Sequence, residues 1–476
     1  TWTDTKPLYV SLITASGTGG EFAQPCDATV EAQTGISNDL HENALKAATA
    51  KGSETTPYNL SNNTGGNTVE NTANCYVVNA PGYYSLPLVY GNAIKNSATN
   101  ASAYTSTVTG TNILNPFINH AGNGITDPYI SGNGCTPAKA ELVWQDAMNL
   151  VTDIKYNADS NGGNISFKVD RSSIRQGNAV IAIKDVSDAI LWSWHVWVTD
   201  EDINNVIEIT NHQNVKYNFM PVNLGQCDGN TITYEERSCK VKFIAGDQSK
   251  EITIKQLANV IATGSNAPFY QWGRKDPLYP SNGMGNTTKI WYDKEGIPST
   301  ANPMKGTFSA GNDCIKNCIL NPNLMHNRYN GDYTYYNLWS ADNKTTSAND
   351  NPVNKTIYDP CPVGFKLPAS NAFTGFTTTG ESVSSSTQVN GTWSSSEKGW
   401  YFYTNSEKTQ SIFFPALGYR SYSTMRPGSI GTQGCFWSAH PVAKGNNYYL
   451  RTSSVDVQPT YMVDRGFGYA LRPCQD

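Results

Sequence analysis

The segment Asp359-Pro360-Cys361-Pro362-Val363-Gly364-Phe365-Lys366-Leu367-Pro368 leaves the chain few choices. Proline fixes φ and lacks an N–H, so this run is neither helix interior nor central strand. Its apolar members Val363, Phe365 and Leu367 alternate, which predicts a short extended piece laid on a core. The far end of the chain, Arg465-Gly466-Phe467-Gly468-Tyr469-Ala470-Leu471-Arg472-Pro473-Cys474, alternates in the same way through Phe467, Tyr469 and Leu471. Two extended pieces, each with a cysteine beside a proline, are expected to close one domain by pairing its end onto an earlier edge.

These two runs, with Gly418-Tyr419-Arg420 and Gly434-Cys435-Phe436-Trp437-Ser438-Ala439 between them, resemble the major paralogous domain of Fibrobacter and Bacteroides surface proteins. That domain is similar to the C-type-lectin-like and formylglycine-generating-enzyme folds. The resemblance covers roughly residues 266–476 and is specific to the domain type rather than to an activity.

Net charge is −5 and lysines and arginines do not cluster, which argues against nucleic acid as a partner. Charged residues make up only 15%, below the usual quarter, and Asn, Thr, Ser, Gly and Tyr take their place. Such a surface suits extracellular contact with glycans or proteins. No run approaches the roughly 20 apolar residues of a membrane helix. The chain opens Thr1-Trp2-Thr3-Asp4 with neither Met nor a signal segment, which reads as a processed or trimmed export product.

Ten cysteines in a chain of export character favour disulfides. Cys361 with Cys474 is the first expected pair. Cys227 and Cys239 flank a predicted hairpin and are expected to bridge it, and Cys314 and Cys318 are close enough to clip a local turn. Zinc is the poorer reading, because no Cys-x-x-Cys occurs and the six histidines are scattered. No metal and no cofactor is expected.

The expected fold class is mainly β, with an antiparallel β-sandwich module followed by an α+β C-type-lectin-like domain rich in loops. Residues 1–70 form an N-terminal β/loop segment, with a strand at Leu8–Ile13 and a short helix over His41–Ala50. Residues 71–265 form the sandwich, carrying a long polar surface insertion near 93–140. Its clearest hairpin joins Asn178–Lys184 to Ala189–Thr199. In the second arm Ile190, Trp192, Trp194, Val196 and Val198 make a dry face, and Leu191, Ser193, His195, Trp197 and Thr199 a half-covered one. Residues 266–476 form the lectin-like domain. Asn74-Cys75-Tyr76-Val77-Val78-Asn79-Ala80-Pro81-Gly82 and Leu191-Trp192-Ser193-Trp194-His195-Val196-Trp197-Val198-Thr199 resemble the module that precedes the lectin-like domain in fimbrial tip-type surface proteins of Bacteroides.

His195 between tryptophans reads as a half-buried histidine bonded within its sheet. Asp200-Glu201-Asp202 lacks the ligand spacing of a calcium loop. Calcium-dependent lectins use Glu-Pro-Asn or Gln-Pro-Asp followed by Trp-Asn-Asp. This chain has Asn321-Pro322-Asn323 and Gln458-Pro459-Thr460, without the paired carboxylate chelate. Formylglycine-generating enzymes need a close cysteine pair with copper, whereas Cys435 stands alone. What remains is an aromatic-rich surface. Trp393, Trp400, Tyr401, Tyr403, Tyr419, Arg420, Arg426, Trp437 and His440 crowd the C-terminal domain. Of these Trp400, Tyr419, Arg420, Arg426 and His440 are the expected ligand contacts, by ring stacking and forked hydrogen bonds. Trp437 and Tyr469 are expected in the core, and Arg465 and Arg472 as braces of the closing strand.

The resemblance then implies a non-enzymatic, exported, cell-surface or fimbrial tip-associated adhesin. Its C-terminal domain would bind a glycan or a host or bacterial surface protein, and Leu8–Ile13 or another edge strand would join further pilus or filament subunits. The alternatives are a structural subunit of a filament or phage particle, and an enzyme of the formylglycine-generating type working through Cys435.

Overall fold

In the computed structural model, residues 9–12, 28–31, 36–228, 231–245, 247–262, 266–280, 289–306, 311–326, 335–443 and 445–476 are described. The protein is mainly β, with mostly antiparallel sheets, Cys75–Val78 running parallel to Ile190–Val198, and two α-helices among the described residues, Leu40–Ala47 and Asn312–Leu320. Leu8, Ile13 and Cys26 lie outside the described residues, and Tyr9–Leu12 is a strand.

The chain divides into two compact units. The smaller holds residues 1–40 and 229–263. In it Tyr9–Leu12 pairs with Ala28–Glu31, Thr231–Tyr234 lies between Asn259–Ala262 and Ile36–Asn38, and Arg237–Ala245 forms a hairpin with Gln248–Gln256. The larger holds residues 41–228 and 264–476. This differs from the expected division at 70 and 265. A domain there was assumed to be one continuous stretch, but residues 1–40 and 229–263 come together from distant parts of the chain.

Within the larger unit the expected boundary near 265 is crossed by sheets. One six-stranded sheet runs Pro298–Ser299, Trp291–Tyr292, Lys139–Gln145, Gly177–Lys184, Ile190–Val198, Cys75–Val78. Tyr292 pairs with Gln145, so segments on both sides of 265 share it. A four-stranded sheet places Cys474–Gln475 between Lys216–Phe219 and Phe365–Lys366. Here the two proline-flanked pieces meet as expected, Phe365 opposite Gln475 and Lys366 opposite Cys474. One core cluster accordingly includes Tyr84, Trp192, Trp339, Phe365, Trp437 and Leu471 together.

The 177–184 and 190–198 strands form the expected hairpin, with Val180 opposite His195 and Ile181 opposite Trp194. Both faces of the second strand are buried, not one, because other parts of the larger unit cover the side expected to be half-open. The 93–140 stretch is likewise no surface excursion. Phe117, Ile118, Ile125 and Ile130 are buried in the core, and Tyr358 clamps Ile118 by accepting from its N–H and donating to its carbonyl.

The segment after Asp359 wraps a buried lysine. Lys355 Nζ donates to the carbonyls of Cys361, Pro362 and Phe365 at 2.9, 2.9 and 2.5 Å. Asp359 accepts from the N–H of Cys361 and of Leu367. These bonds satisfy backbone groups that no regular strand could pair. Arg472 braces the closing strand as expected, donating to Asn223 Oδ1 at 2.7 Å and to the carbonyls of Pro221 and Phe413. Arg465 lies 4.1 Å above the Trp272 ring and donates to Tyr335 and Asn446 carbonyls.

Of the nine described cysteines, eight are buried and Cys318 is half-buried. Neither the 361–474 nor the 227–239 bond is present. The register sets Lys366, not Cys361, across from Cys474. Cys227 and Cys239 fall in different units. Cys314 and Cys318 stand one turn apart on the 312–320 helix rather than clipping a turn.

Candidate functional site

Trp400, Arg420 and His440, expected at the surface, are core residues with exposures of 1%, 0% and 0%. Trp400 points inward from the Gly399–Tyr403 strand and donates its Nε1–H to the Ser453 carbonyl at 2.7 Å. Arg420 donates to the Met425 carbonyl at 2.8 Å, the Tyr279 carbonyl and Asn302 Oδ1, and burial lowers its guanidinium to about 9. His440 accepts from the Ser370 N–H, and burial lowers its imidazole to about 4, so it is neutral at pH 7. Polar neighbours in sequence suggested exposure, but alternation turns Trp400 inward and the strand that carries His440 is buried on both faces. Tyr419 is half-buried, edge-on to Phe467 at 5.4 Å, and Arg426 is exposed. Trp437 and Tyr469 are buried as expected.

His195 is fully buried rather than half-buried. Its Nε2 lies 2.9 Å from Asn178 Oδ1 and its Nδ1 3.2 Å from the Tyr270 hydroxyl, with burial lowering its imidazole to about 3. The Asn321-Pro322-Asn323 turn directs the Asn321 and Pro322 carbonyls at Arg274, whose guanidinium occupies their lone pairs. Gln458, on the Val457–Asp464 strand, donates to Asp456 just before it.

The outward side of the Gly391–Ser394, Gly399–Tyr403 and Ser411–Pro415 sheet presents a different aromatic set. Register places Trp393, Trp400 and Phe414 in one row, with Phe402 and Ile412 on the same inward side. The next row, Thr392, Tyr401 and Phe413, therefore faces out, as does Tyr403. Tyr401 and Phe413 are half-buried with ring centroids 4.7 Å apart. Tyr401 donates to Glu397 Oε1 at 2.8 Å, and burial with this carboxylate pushes its phenol up to about 12. The Tyr403 hydroxyl meets Thr392 Oγ1 at 2.6 Å, and Lys408 Nζ lies 5.6 Å from the Tyr403 ring centre. The result is a row of partly open rings held by hydroxyl hydrogen bonds and rimmed by Thr392, Glu397 and Lys408. Such a face suits the C–H side of a sugar ring or an apolar side chain, with rim groups for hydroxyls. Tyr401 and Tyr403 stood among the aromatics noted in the sequence. Phe413 and the rim did not, although Ile412-Phe413-Phe414-Pro415 is apolar on both faces, the signal of a sheet covered on one side and sticky on the other.

Two other constellations stand apart from this face. His41, Asp200, Glu201 and Asp228 converge, with ligand atoms of His41, Glu201 and Asp228 within 4.8 Å of one another. His41 Nδ1 is 3.0 Å from Asp200 and its Nε2 3.6 Å from Asp228, so the imidazolium itself supplies the positive charge between the carboxylates. No local motif announces this group, whose members come from three separate segments. A cleft of about 340 Å³ lies beside the closing strand, lined in part by Tyr217, Asp350, Lys366 and Asp476. Its charges are already engaged, Asp350 by Tyr217, Asn211 and Asn371, and Lys366 by Asp476.

Set against family models, curated proteins and solved structures, the chain matches none. Among the described residues no helix is long and apolar enough to cross a membrane.

Proposed function

We propose that this chain is a non-catalytic, exported adhesin-like surface protein that binds a glycan or protein ligand, with the C-terminal half as the lectin-like recognition part. The observation that carries the reading is the outward Thr392–Tyr401–Phe413 row with Tyr403 beside it. Aromatic rings held by hydrogen bonds at their hydroxyls lose little freedom on binding, which favours recognition. The low charge of the chain supports an extracellular setting, and the sequence resemblance supports a fimbrial or cell-surface one. Against the formylglycine-generating reading, Cys435 is 1% exposed and burial pushes its thiol well up, whereas a nucleophile needs an accessible thiolate.

The test is a screen on glycan and surface-protein arrays with the purified chain. Ligands should be captured by the wild type and lost with Tyr401→Ala and Phe413→Ala, both of which should stay folded at the assay temperature. Capture undiminished by both variants would remove this face from the reading.

A filament or phage subunit is the second reading. The Val457–Asp464 strand ends its three-stranded sheet and exposes Tyr461 and Met462, 45% and 52%. Open edges of this kind invite strand addition. Concentration-dependent assembly in sedimentation, abolished by Met462→Lys, would favour it.

A further inference from the structure

Three chemically complementary side chains meet in the larger unit. Lys289 Nζ lies 2.7 Å from Asp146 Oδ2 and 3.5 Å from Asn266 Oδ1. Asp146 directly follows the Lys139–Gln145 strand, Asn266 forms a bridge with Cys227, and Lys289 precedes the Trp291–Tyr292 strand. Side-chain exposure is 3% for Asp146 and 17% for Lys289. The geometry is anchored. The Asp146 carboxylate accepts the Asn178 N–H at 2.6 Å and the Asn178 Nδ2–H at 2.9 Å. Asn266 exchanges backbone hydrogen bonds with Cys227 at 2.8 and 3.0 Å.

An amine and a carboxamide, each half-buried, beside a buried acid are the components of an amide exchange. We propose that Lys289 and Asn266 join in an intramolecular amide, with Asp146 carrying the protons.

The step balances without any further reactant. Asp146 Oδ2 takes a proton from the Nζ ammonium along their hydrogen bond. Two buried ions become two neutral groups, which relieves the desolvation cost of the pair. The free Nζ lone pair attacks Asn266 Cγ and the Cγ–Nζ bond forms. Asp146 returns its proton to Nδ2, the Cγ–Nδ2 bond breaks, and ammonia leaves. The proton that Nζ sheds on forming the amide passes through Asp146 to the departing ammonia. Lysine ammonium plus carboxamide has become amide plus ammonium, and Asp146 is a carboxylate again. Nothing is oxidised or reduced. Burial works to lower the Lys289 ammonium, but the adjacent Asp146 charge outweighs it and holds the ammonium above its ordinary value. The ion pair is therefore the resting state, and proton transfer to Asp146 gates the reaction.

Lys275, Lys355 and Lys51 of this unit lack the combination. Lys275 pairs with its neighbour Asp276 and with Ser193, and Lys355 faces backbone carbonyls and Asp359. Lys51 meets the Asn79 amide at 2.9 Å in the open. The Lys289–Asn266 bond would close the segment between the two residues, restricting the unfolded chain as a disulfide does.

The experiment is the intact mass of the full-length chain, reduced and denatured, followed by peptide mapping. The wild type should be lighter than its sequence mass by one ammonia, with the Asn266 peptide joined to the Lys289 peptide. Asp146→Ala and Lys289→Arg should both restore the full mass; the arginine variant keeps the charge beside Asp146, so the fold is retained. A wild type of full sequence mass would overturn the proposal, as would an ammonia loss that maps to a cyclised asparagine elsewhere.

Discussion

His41 Nδ1 lies 3.0 Å from both carboxylate oxygens of Asp200, across 159 residues of chain. The Asp200 hydrogen bond, against burial and with the charges of Asp200, Asp228 and Glu201, raises the imidazole to about 9. Gln176 also donates to Asp200 and fixes its position.

A histidine whose folded value is raised stabilises the fold fully below its unfolded value, near 6.5, and loses that contribution as pH climbs through about 9. His41→Gln should therefore destabilise the protein by about 1 kcal/mol at mildly acid pH, a figure discounted because the group is partly exposed and screened. At strongly alkaline pH the variant and the wild type should unfold at the same urea concentration. Urea midpoints across this range check it, and a penalty independent of pH would contradict the ionic account.

Asn74, just before the Cys75–Val78 strand, ties that strand to the proline-rich segment. Its Nδ2 donates to the carbonyls of Ile357 and Asp359 at 2.6 and 2.8 Å, and its Oδ1 accepts from Trp192 Nε1 at 3.1 Å. Asn74→Ala strands those three buried groups. At roughly 1 kcal/mol or more for each orphan, the loss should reach about 3 kcal/mol. Chemical unfolding should remain one transition for the larger unit, shifted as a whole. A separate early transition would mean that the two sides of residue 265 fold apart.

Legibility in the sequence followed the range of the interaction. The 177–198 hairpin and the pairing of Phe365 with Gln475 could be read because alternation and proline placement are local signals. The inward turn of Trp400 and Arg420 could not, since Trp400-Tyr401-Phe402-Tyr403 is aromatic on both faces and only register tells them apart. The burial of Phe117 and Ile118 was hidden by the polar residues around them, and the His41–Asp200 contact has no local trace at all. Discontinuous units defeat a linear division for the same reason. The 1–40 and 229–263 segments lie far apart in the chain, so neither announces locally that it belongs with the other.

Arg420 and Tyr401 separate fold from recognition. Arg420→Met removes donors from the Met425 and Tyr279 carbonyls in a fully buried site, and should cost about 3 kcal/mol of stability. Tyr401→Ala breaks only an exposed hydroxyl contact with Glu397 and a ring pair, and should cost under about 1.5 kcal/mol. Thermal melts of both variants against the wild type check the order. A larger loss for Tyr401→Ala would place that ring in the core rather than on a recognition face.

Cys318 should be the first of the nine described thiols to react. It is half-buried where the other eight are buried. The Cys314 thiol one helical turn away donates to it, and against the effect of burial this bond, with the nearby His326 and Arg274 charges, holds its thiol well below the ordinary value. A thiolate alkylates and a thiol does not, so brief treatment with iodoacetamide at neutral pH should modify Cys318 before Cys75, Cys361, Cys435 or Cys474, whose thiols burial pushes up. Cys314→Ser keeps a donor and should leave the rate nearly unchanged, whereas Cys314→Ala should slow it several-fold. Peptide mapping after timed labelling reads both. Equal rates in the alanine variant would mean that exposure alone, and not the neighbouring thiol, sets the reactivity of Cys318.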